Sequence, residues 1–239
     1  MRAIYGFWLV LAAIMSPSCS GADDAPDYRY RLTVEVETPD GVKSGSSVIE
    51  VTQRLVRPGS NLSSVGVERR ARGEAVAVDL PDGQTLFALL RSEDTVDWAT
   101  YILPWIAPEV RGEDFVEQLD NPLTLEGEVE LPPLLPVSNL GERSGYPMLV
   151  TFGDLDDPTS VERVDPDDLA ATIGEGMILK RITAQITNDP VTTGIEEKLR
   201  WLPDQKQGML DGRINNTLKA ENRLANDLSR WDFSQGLLP

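Results

Sequence analysis

From residue 28 onward the chain alternates. Tyr28, Tyr30, Leu32, Val34 and Val36 interleave with Arg29, Arg31, Thr33, Glu35 and Glu37. A period of two puts the first set on one face of a strand and the second on the other, so one face is buried and one meets water. Thr38-Pro39-Asp40-Gly41 then predicts a turn, because Pro fixes φ and Gly accepts positive φ. A second strand is predicted over Ser47–Val56, with Ile49, Val51 and Leu55 on one face and a break at Arg57–Asn61 (RPGSN). A third is predicted over Glu74–Leu80, with Val76, Val78 and Leu80 inward. After Pro81-Asp82-Gly83, Thr85–Leu90 (TLFALL) reads as a buried strand. Strand signals separated by Pro-Asp-Gly-type turns predict an antiparallel meander or sandwich.

The second half mixes periods. Trp98–Trp105 (WATYILPW) is apolar, and Pro104 is expected to end any regular element there. Arg111–Leu119 fits a short helix with Phe115, Val116 and Leu119 inward. Leu123–Leu131 alternates again, and Leu131–Pro136 (LPPLLP) reads as a proline-stiffened connector. Tyr146–Phe152 predicts a short buried strand, and Asp154–Asp157 an acidic loop. Asp165-Pro166-Asp167-Asp168 predicts a helix start with Asp165 as N-cap. Met177–Asn188 predicts a late strand, and Thr193–Leu202 a short helix closed by Pro203. Ala220, Leu224, Leu228 and Trp231 recur at helical spacing and predict a C-terminal helix laid on the body. The fold class expected is therefore β-rich α+β: an antiparallel meander or sandwich in the N-terminal half, mixed strands and short helices in the C-terminal half. The stretches are 1–22 (signal peptide and tether), 28–136 (antiparallel β-rich) and 146–239 (α+β), the last two separate or one continuous domain.

The N-terminus reads as an address. One positive charge at Arg2 precedes the uncharged run Ala3–Met15 (AIYGFWLVLAAIM). That run is too short to span a membrane and fits the apolar region of a secretory signal peptide. Ser16-Pro17-Ser18-Cys19 resembles a bacterial lipobox, although Ser16 stands where an aliphatic residue is usual. The alternative is ordinary cleavage after Ser20-Gly21-Ala22. Cys19 is the single cysteine of the chain, and its place at this junction makes it the expected lipid attachment point. The protein is then exported and held on the periplasmic side of the outer membrane, or is soluble in the periplasm if Cys19 is removed.

Composition removes chemistry rather than adding it. The chain has 239 residues, no histidine, 22 Lys+Arg and 39 Asp+Glu, for a formal net charge of −17. Without imidazole there is no Ser-His-Asp or Cys-His nucleophile pair and no His-containing zinc site. One cysteine excludes an intramolecular disulfide and a CxxC pair. No S-x-x-K, G-x-S-x-G, P-loop or G-x-G-x-x-G pattern is present. The acidic balance argues against nucleic acid. Arg69, Arg70 and Arg72 form the one basic cluster, read as a solvated strand rather than a phosphate site.

Two clusters stay open as candidate chemistry. The carboxylates at Asp154, Asp156, Asp157, Glu162, Asp165, Asp167 and Asp168 would suit a hard cation such as Ca²⁺, but the spacing is not an EF-hand and capping explains much of it. Paired carboxylates could also serve a glycosidase-like hydrolase. Trp98, Tyr101 and Trp105 would suit a groove, although such groups more commonly form core, as do Trp201 and Trp231.

Pro158–Thr193, together with the run Tyr30–Val51 (YRLTVEVETPDGVKSGSSVIEV), resembles a group of uncharacterised exported proteins of alphaproteobacteria. The resemblance implies a shared fold and export and carries over no activity and no site residue. The expectation is a non-enzymatic envelope protein with a binding or structural role. It is anchored to the membrane through a lipid on Cys19, engages an envelope protein partner, and uses no cofactor, no catalytic residue and no metal ligand. A carboxylate-based hydrolase and a Ca²⁺-stabilised module are the alternatives.

Overall fold

Strand β1 (Tyr28–Thr38) and strand β2 (Gly41–Val56) form a long hairpin, and β2 pairs in turn with β3 (Gly66–Glu74). The hairpin turn works as its residues dictate, with Gly41 at φ +103°. The computed structural model describes residues 25–56, 66–108, 117–138 and 140–237. Cys19, the signal segment, the Arg57–Asn61 break and most of the helix expected at Arg111–Leu119 lie outside them. Within that last stretch Leu119 is buried in a 3-10 turn.

After β3 the chain continues through β4 (Val76–Asp79), β5 (Thr85–Ala88), α1 (Trp98–Ile106), β6 (Glu128–Glu130), β7 (Leu134–Val137), β8 (Gly141–Ser144), β9 (Leu149–Phe152) and β10 (Val161–Val164). It ends with α2 (Leu169–Thr172), β11 (Ile178–Ile186) and β12 (Ser234–Gln235). The strands form a six-stranded sheet in the order β12-β3-β2-β1-β11-β6, a four-stranded sheet in the order β10-β9-β5-β4, and the hairpin β7-β8. Every pairing is antiparallel. The fold is thus β-rich α+β. Residues 28–136 and 146–239 contribute strands to both larger sheets, since β11 pairs with β1 and β9 with β5.

The layers follow from the alternation. Tyr30, Leu32, Val34 and Ile49 of the large sheet face Val76, Val78 and Leu86 of the small one, with Trp98 and Ile102 of α1 completing that core. The small sheet is buried on its other face too. Phe87, Val150 and Phe152 pack there against Ile195, Leu199, Leu202, Leu228 and Phe233 of an irregular third layer. Burial on both faces is why residues 85–90 and 147–152 read as continuous apolar runs rather than alternating ones. Phe87, Phe152, Trp201 and Phe233 meet there mostly edge to face or tilted.

One strand serves both sheets. β3 ends at Glu74, bends at Ala75 and re-enters as β4. The Ala75 N–H donates to the Phe233 carbonyl over 2.8 Å. Where β4 crosses β2, the backbones nearly touch: a Cβ on Gly45 would lie 2.1 Å from the Ala77 carbonyl oxygen. On the outer face of the large sheet, Glu35 accepts from Arg181 over 2.6 Å, and the Lys180 ammonium lies 3.0 Å from its other carboxylate oxygen. A register shift beside Glu35 brings two neighbouring cations to one carboxylate, which strict alternation would place on opposite faces.

Several elements depart from expectation. β2 starts at Gly41 rather than Ser47, because its first half still pairs with β1. Trp98–Ile106 is a helix that contains Pro104 in its last turn, where the ring interrupts little remaining ladder. The connector at Leu131–Pro136 runs into the β7-β8 hairpin. The helix expected from Asp165 begins three residues later, with Asp168 as its N-cap. The expected helices at Thr193–Leu202 and at Ala220–Trp231 are irregular chain with 3-10 turns. There Asn222 and Asn226 side chains take backbone partners that a helix would supply, and Asn226 is fully buried.

Two outcomes follow. Gly45→Ala should destabilise the protein by about 2–3 kcal/mol in chemical denaturation, because backbone must move, whereas Gly153→Ala, with nearest neighbours at 3.8 Å, should change little. Glu35 is held at a pKa of about 2, first by the Arg181 hydrogen bond and then by Lys180, against an ordinary 4.5. A depressed carboxylate stabilises the fold fully above the unfolded value and loses that contribution as pH falls toward the folded one. Glu35→Gln should therefore lower stability at neutral pH and flatten the loss between pH 4.5 and 2 in acid titrations of unfolding.

Candidate functional site

Strand β3 has two sides. Toward β2 it runs a regular ladder in the register Glu50↔Arg72, Thr52↔Arg70 and Arg54↔Glu68. The Gln53 N–H points the other way, donating to Asp27 Oδ1 over 3.0 Å. Gln53 and its partner Arg69 are therefore a non-hydrogen-bonded pair, and the N–H and C=O groups of Val67, Arg69 and Ala71 point away from β2. At Gly73 that outer edge is taken by β12, through Gln235↔Gly73. The chain then turns off at Gly236, at φ +68°. From Ala71 back to Val67, no described strand continues the ladder.

A hollow of about 380 Å³ lies along this stretch, lined by Arg69, Arg70, Ala71, Asp97, Thr100, Trp231, Gln235 and Gly236. Side chains are fixed around it. Arg69 donates to Gln53 Oε1 over 2.9 Å and lies over the Tyr101 ring at 5.6 Å, and Tyr101 stacks on Trp105. Trp231 is 47% exposed, although its neighbours Arg230 and Asp232 are buried. The Arg230 guanidinium sits 4.4 Å from the Trp231 ring centre. Asp232 accepts from the Ser229 N–H over 2.7 Å and the Ser229 hydroxyl over 3.1 Å, while Arg91 lies 3.9 Å from it and 3.3 Å from Asp227. A buried polar frame thus presents one indole to solvent.

A larger hollow, about 590 Å³, is lined by Ala25–Asp27, Thr52–Arg54, Glu68 and Arg70. Two of its polar groups are spent on the fold, since the Gln53 amide donates to the carbonyls of Pro26 and Leu119 and Asp27 holds the Gln53 N–H. The smaller hollow is the better candidate because it joins backbone that no described strand pairs to the exposed Arg70 and an exposed aromatic ring.

The residues that could carry catalysis are placed elsewhere. Burial pushes the carboxyl pKa of Glu74 up, against hydrogen bonds from the Ile195 and Gly194 N–H groups. Burial likewise pushes Asp232 up, against Ser229 and Arg91. Neither lines one of these hollows, and both hold backbone. The acidic stretch divides into local turns. Asp154 accepts from Asp156 N–H, Asp157 from the Thr159 N–H and hydroxyl, Asp165 from Asp167 N–H and Asp168 from Ala171 N–H. Among the described residues no group of three or more His, Cys, Asp and Glu is arranged to hold a metal ion. Of the aromatic group, Trp98 is core, while Tyr101 and Trp105 are half-buried beside β3. Trp231, expected in the core, is the exposed one. Of the arginines read as a solvated strand, Arg70 and Arg72 are exposed on β3, whereas Arg69 is half-buried and held by Gln53 and Tyr101.

Because Asp154, Asp157, Asp165 and Asp168 each accept from a nearby backbone N–H, and no described group of carboxylates is arranged to hold a metal ion, millimolar Ca²⁺ should leave the Tm of the protein unchanged, and a rise of several degrees would assign a cation to that loop. Among the described residues no helix is long and apolar enough to cross a membrane. No protein-family model, no curated protein and no solved structure matches the chain.

Proposed function

We propose that this protein is a non-enzymatic binding module of the bacterial cell envelope, exported, tethered to the membrane through a lipid on Cys19, and working through the open edge of β3. The observation that carries the reading is the juxtaposition of outward backbone groups at Arg69 and Ala71 with the exposed Trp231 in one hollow. Sheet edges with unpaired N–H and C=O groups are templates for a further strand. Exposed tryptophan flanked by arginine is the composition that dominates protein interfaces. The buried carboxylates with raised pKa hold backbone, which takes support from a hydrolase. The export signal and the lone cysteine supply the location, and the resemblance to exported alphaproteobacterial proteins agrees with it.

The experiment is fractionation of the host envelope with wild type, Cys19→Ser and Trp231→Ala. Wild type should be in the membrane fraction and in a complex larger than the single chain. Cys19→Ser should move to the soluble fraction, and Trp231→Ala should stay on the membrane but lose the complex. Identical partition of wild type and Cys19→Ser would remove the lipid tether, and an unchanged complex with Trp231→Ala would remove the β3 edge as the working surface.

A further inference from the structure

The third layer carries the most exposed large apolar side chains among the described residues. Ile214 is 77% and Leu218 79% exposed. Both stand in the loop 212–219, and that loop is pinned. The Met209 N–H donates to the Arg213 carbonyl over 2.7 Å, beside Gly208 at φ +83°. A Cβ on Gly208 would lie 2.5 Å from that same oxygen. Asn226, fully buried, holds the loop from inside. Its Oδ1 accepts from the Thr217 N–H over 2.5 Å, and its Nδ2 donates to the Asn215 carbonyl and to Asp211 Oδ1. Asn216 donates to Asp227 over 2.7 Å. The ordinary arrangement is inverted, with an amide inside and two aliphatic side chains outside. A plain connector would gain by folding those side chains onto the body. This one is fixed from within and keeps them in water.

The charges around the loop select what it meets. Residues 205–219 hold Lys206, Arg213 and Lys219 against one acid, Asp211, on a chain of formal net charge −17. Asp211 is turned inward, its side chain 13% exposed, and is shared by Arg213 at 3.4 Å and by Asn226. Lys219 pairs with no described carboxylate. Arg213 precedes Ile214 and Lys219 follows Leu218, with no acid between them, and Asp204 and Glu221 stand only at the borders. Other exposed aliphatic residues lack that setting: Val96 lies between Asp94 and Asp97, and Leu123 between Asp120 and Glu126. Tight protein interfaces centre on aromatic or arginine anchors in fitted hollows, and Ile214 and Leu218 line neither hollow described above. Projecting aliphatic side chains flanked by cations suit a medium that closes around any shape and is negative at its surface. We infer that loop 212–219 touches an anionic phospholipid bilayer, with Ile214 and Leu218 in the boundary between headgroups and acyl chains and Arg213 and Lys219 against the phosphates. The contact is separate from the β3 edge and needs no lipid on Cys19.

The test places an environment-sensitive fluorophore on Leu218→Cys in the full chain, with Cys19→Ser so that the label has one site. A second chain carries it on Asp40→Cys, at the β1–β2 turn of the large sheet, with the small sheet between it and the third layer. The spectral shift at saturating lipid is read, so that protein held to vesicles by residues 3–15 still reports on the loop alone. On phosphatidylglycerol vesicles the label at 218 should shift to the blue and be quenched by nitroxide-bearing acyl chains, and the label at 40 should do neither. On phosphatidylcholine vesicles the shift at 218 should be at least about fivefold smaller, because the cations lose their attraction. High salt should lower the phosphatidylglycerol shift as the charges are screened. Arg213→Gln with Lys219→Gln should also lower it about fivefold, and Ile214→Ser should cut it by about half. None of these changes should move the Tm by more than about 2 °C, since the side chains are exposed. No shift at 218 on phosphatidylglycerol, or an equal one at 40, overturns the contact. Equal shifts on the two lipids, or indifference to Arg213→Gln with Lys219→Gln, overturn the anionic surface. A shift without nitroxide quenching overturns insertion. An absent shift together with loss of the envelope complex in Ile214→Ser with Leu218→Ser overturns the bilayer and assigns the loop to a protein.

Discussion

The structure turns on a buried carboxylate. Glu74 is the last residue of β3, 2% exposed, at the point where one strand leaves the large sheet for the small one. Its two oxygens accept from the Gly194 and Ile195 N–H groups over 3.2 and 3.0 Å. Taking a charge out of water is costly unless donors replace the water. Here they do so only in part, which is why burial still pushes the pKa up. What the cost secures is position. Ile195 begins the third layer, and Ile195, Leu199 and Leu202 cover the second face of the small sheet. One residue later, Ala75 takes the Phe233 carbonyl and sets β12 beside β3. The same corner thus anchors the start and the end of the segment that covers the small sheet, and it sets β12 against the last residues of β3.

That corner explains how much of the fold was legible in the sequence. Alternation marked β1 and much of β2 because each has one buried and one wet face, and period two reports that directly. The apolar runs at 85–90 and 146–152 marked strands buried on both faces. What could not be read was the join. Residues 66–80 look like a charged stretch followed by a strand, yet they form one strand with a bend, and nothing local at Glu74-Ala75 announces a change of sheet. The C-terminal layer misled for a different reason. Ala220, Leu224 and Leu228 are spaced as a helix would space them and are buried or half-buried, so the apolar signal was real. Asn222 and Asn226 satisfy backbone groups with their side chains instead, and a chain held that way needs no helix.

The candidate site was legible only in pieces. The arginines were visible as a cluster, but the strand that carries them exposes Arg70 and Arg72 and turns Arg69 toward Gln53 and Tyr101. Of the acidic residues, densest in sequence and the most tempting as chemistry, Asp154, Asp157 and Asp165 are taken up by turns and Asp168 by a helix cap. Trp231 looked like core because it completes a helical series that does not form. Its exposure depends on Arg230 and Asp232 being buried on either side of it, an inversion that hydropathy cannot show, since the two charged residues go in and the indole stays out.

The remaining question is why an edge is left open at all, since free edges invite aggregation. The other free edge of the large sheet answers by contrast. β6 is three residues long and carries Glu128 and Glu130 on the outer face, so it offers little ladder and repels acidic chains. β3 is nine residues long, and beyond β12 it is guarded by cations rather than by shortness. Shortness and glutamates protect the edge at β6, whereas β3 is long and carries Glu68, Arg70 and Arg72 in alternation along its outer face, so the two ends of the sheet are handled by different means.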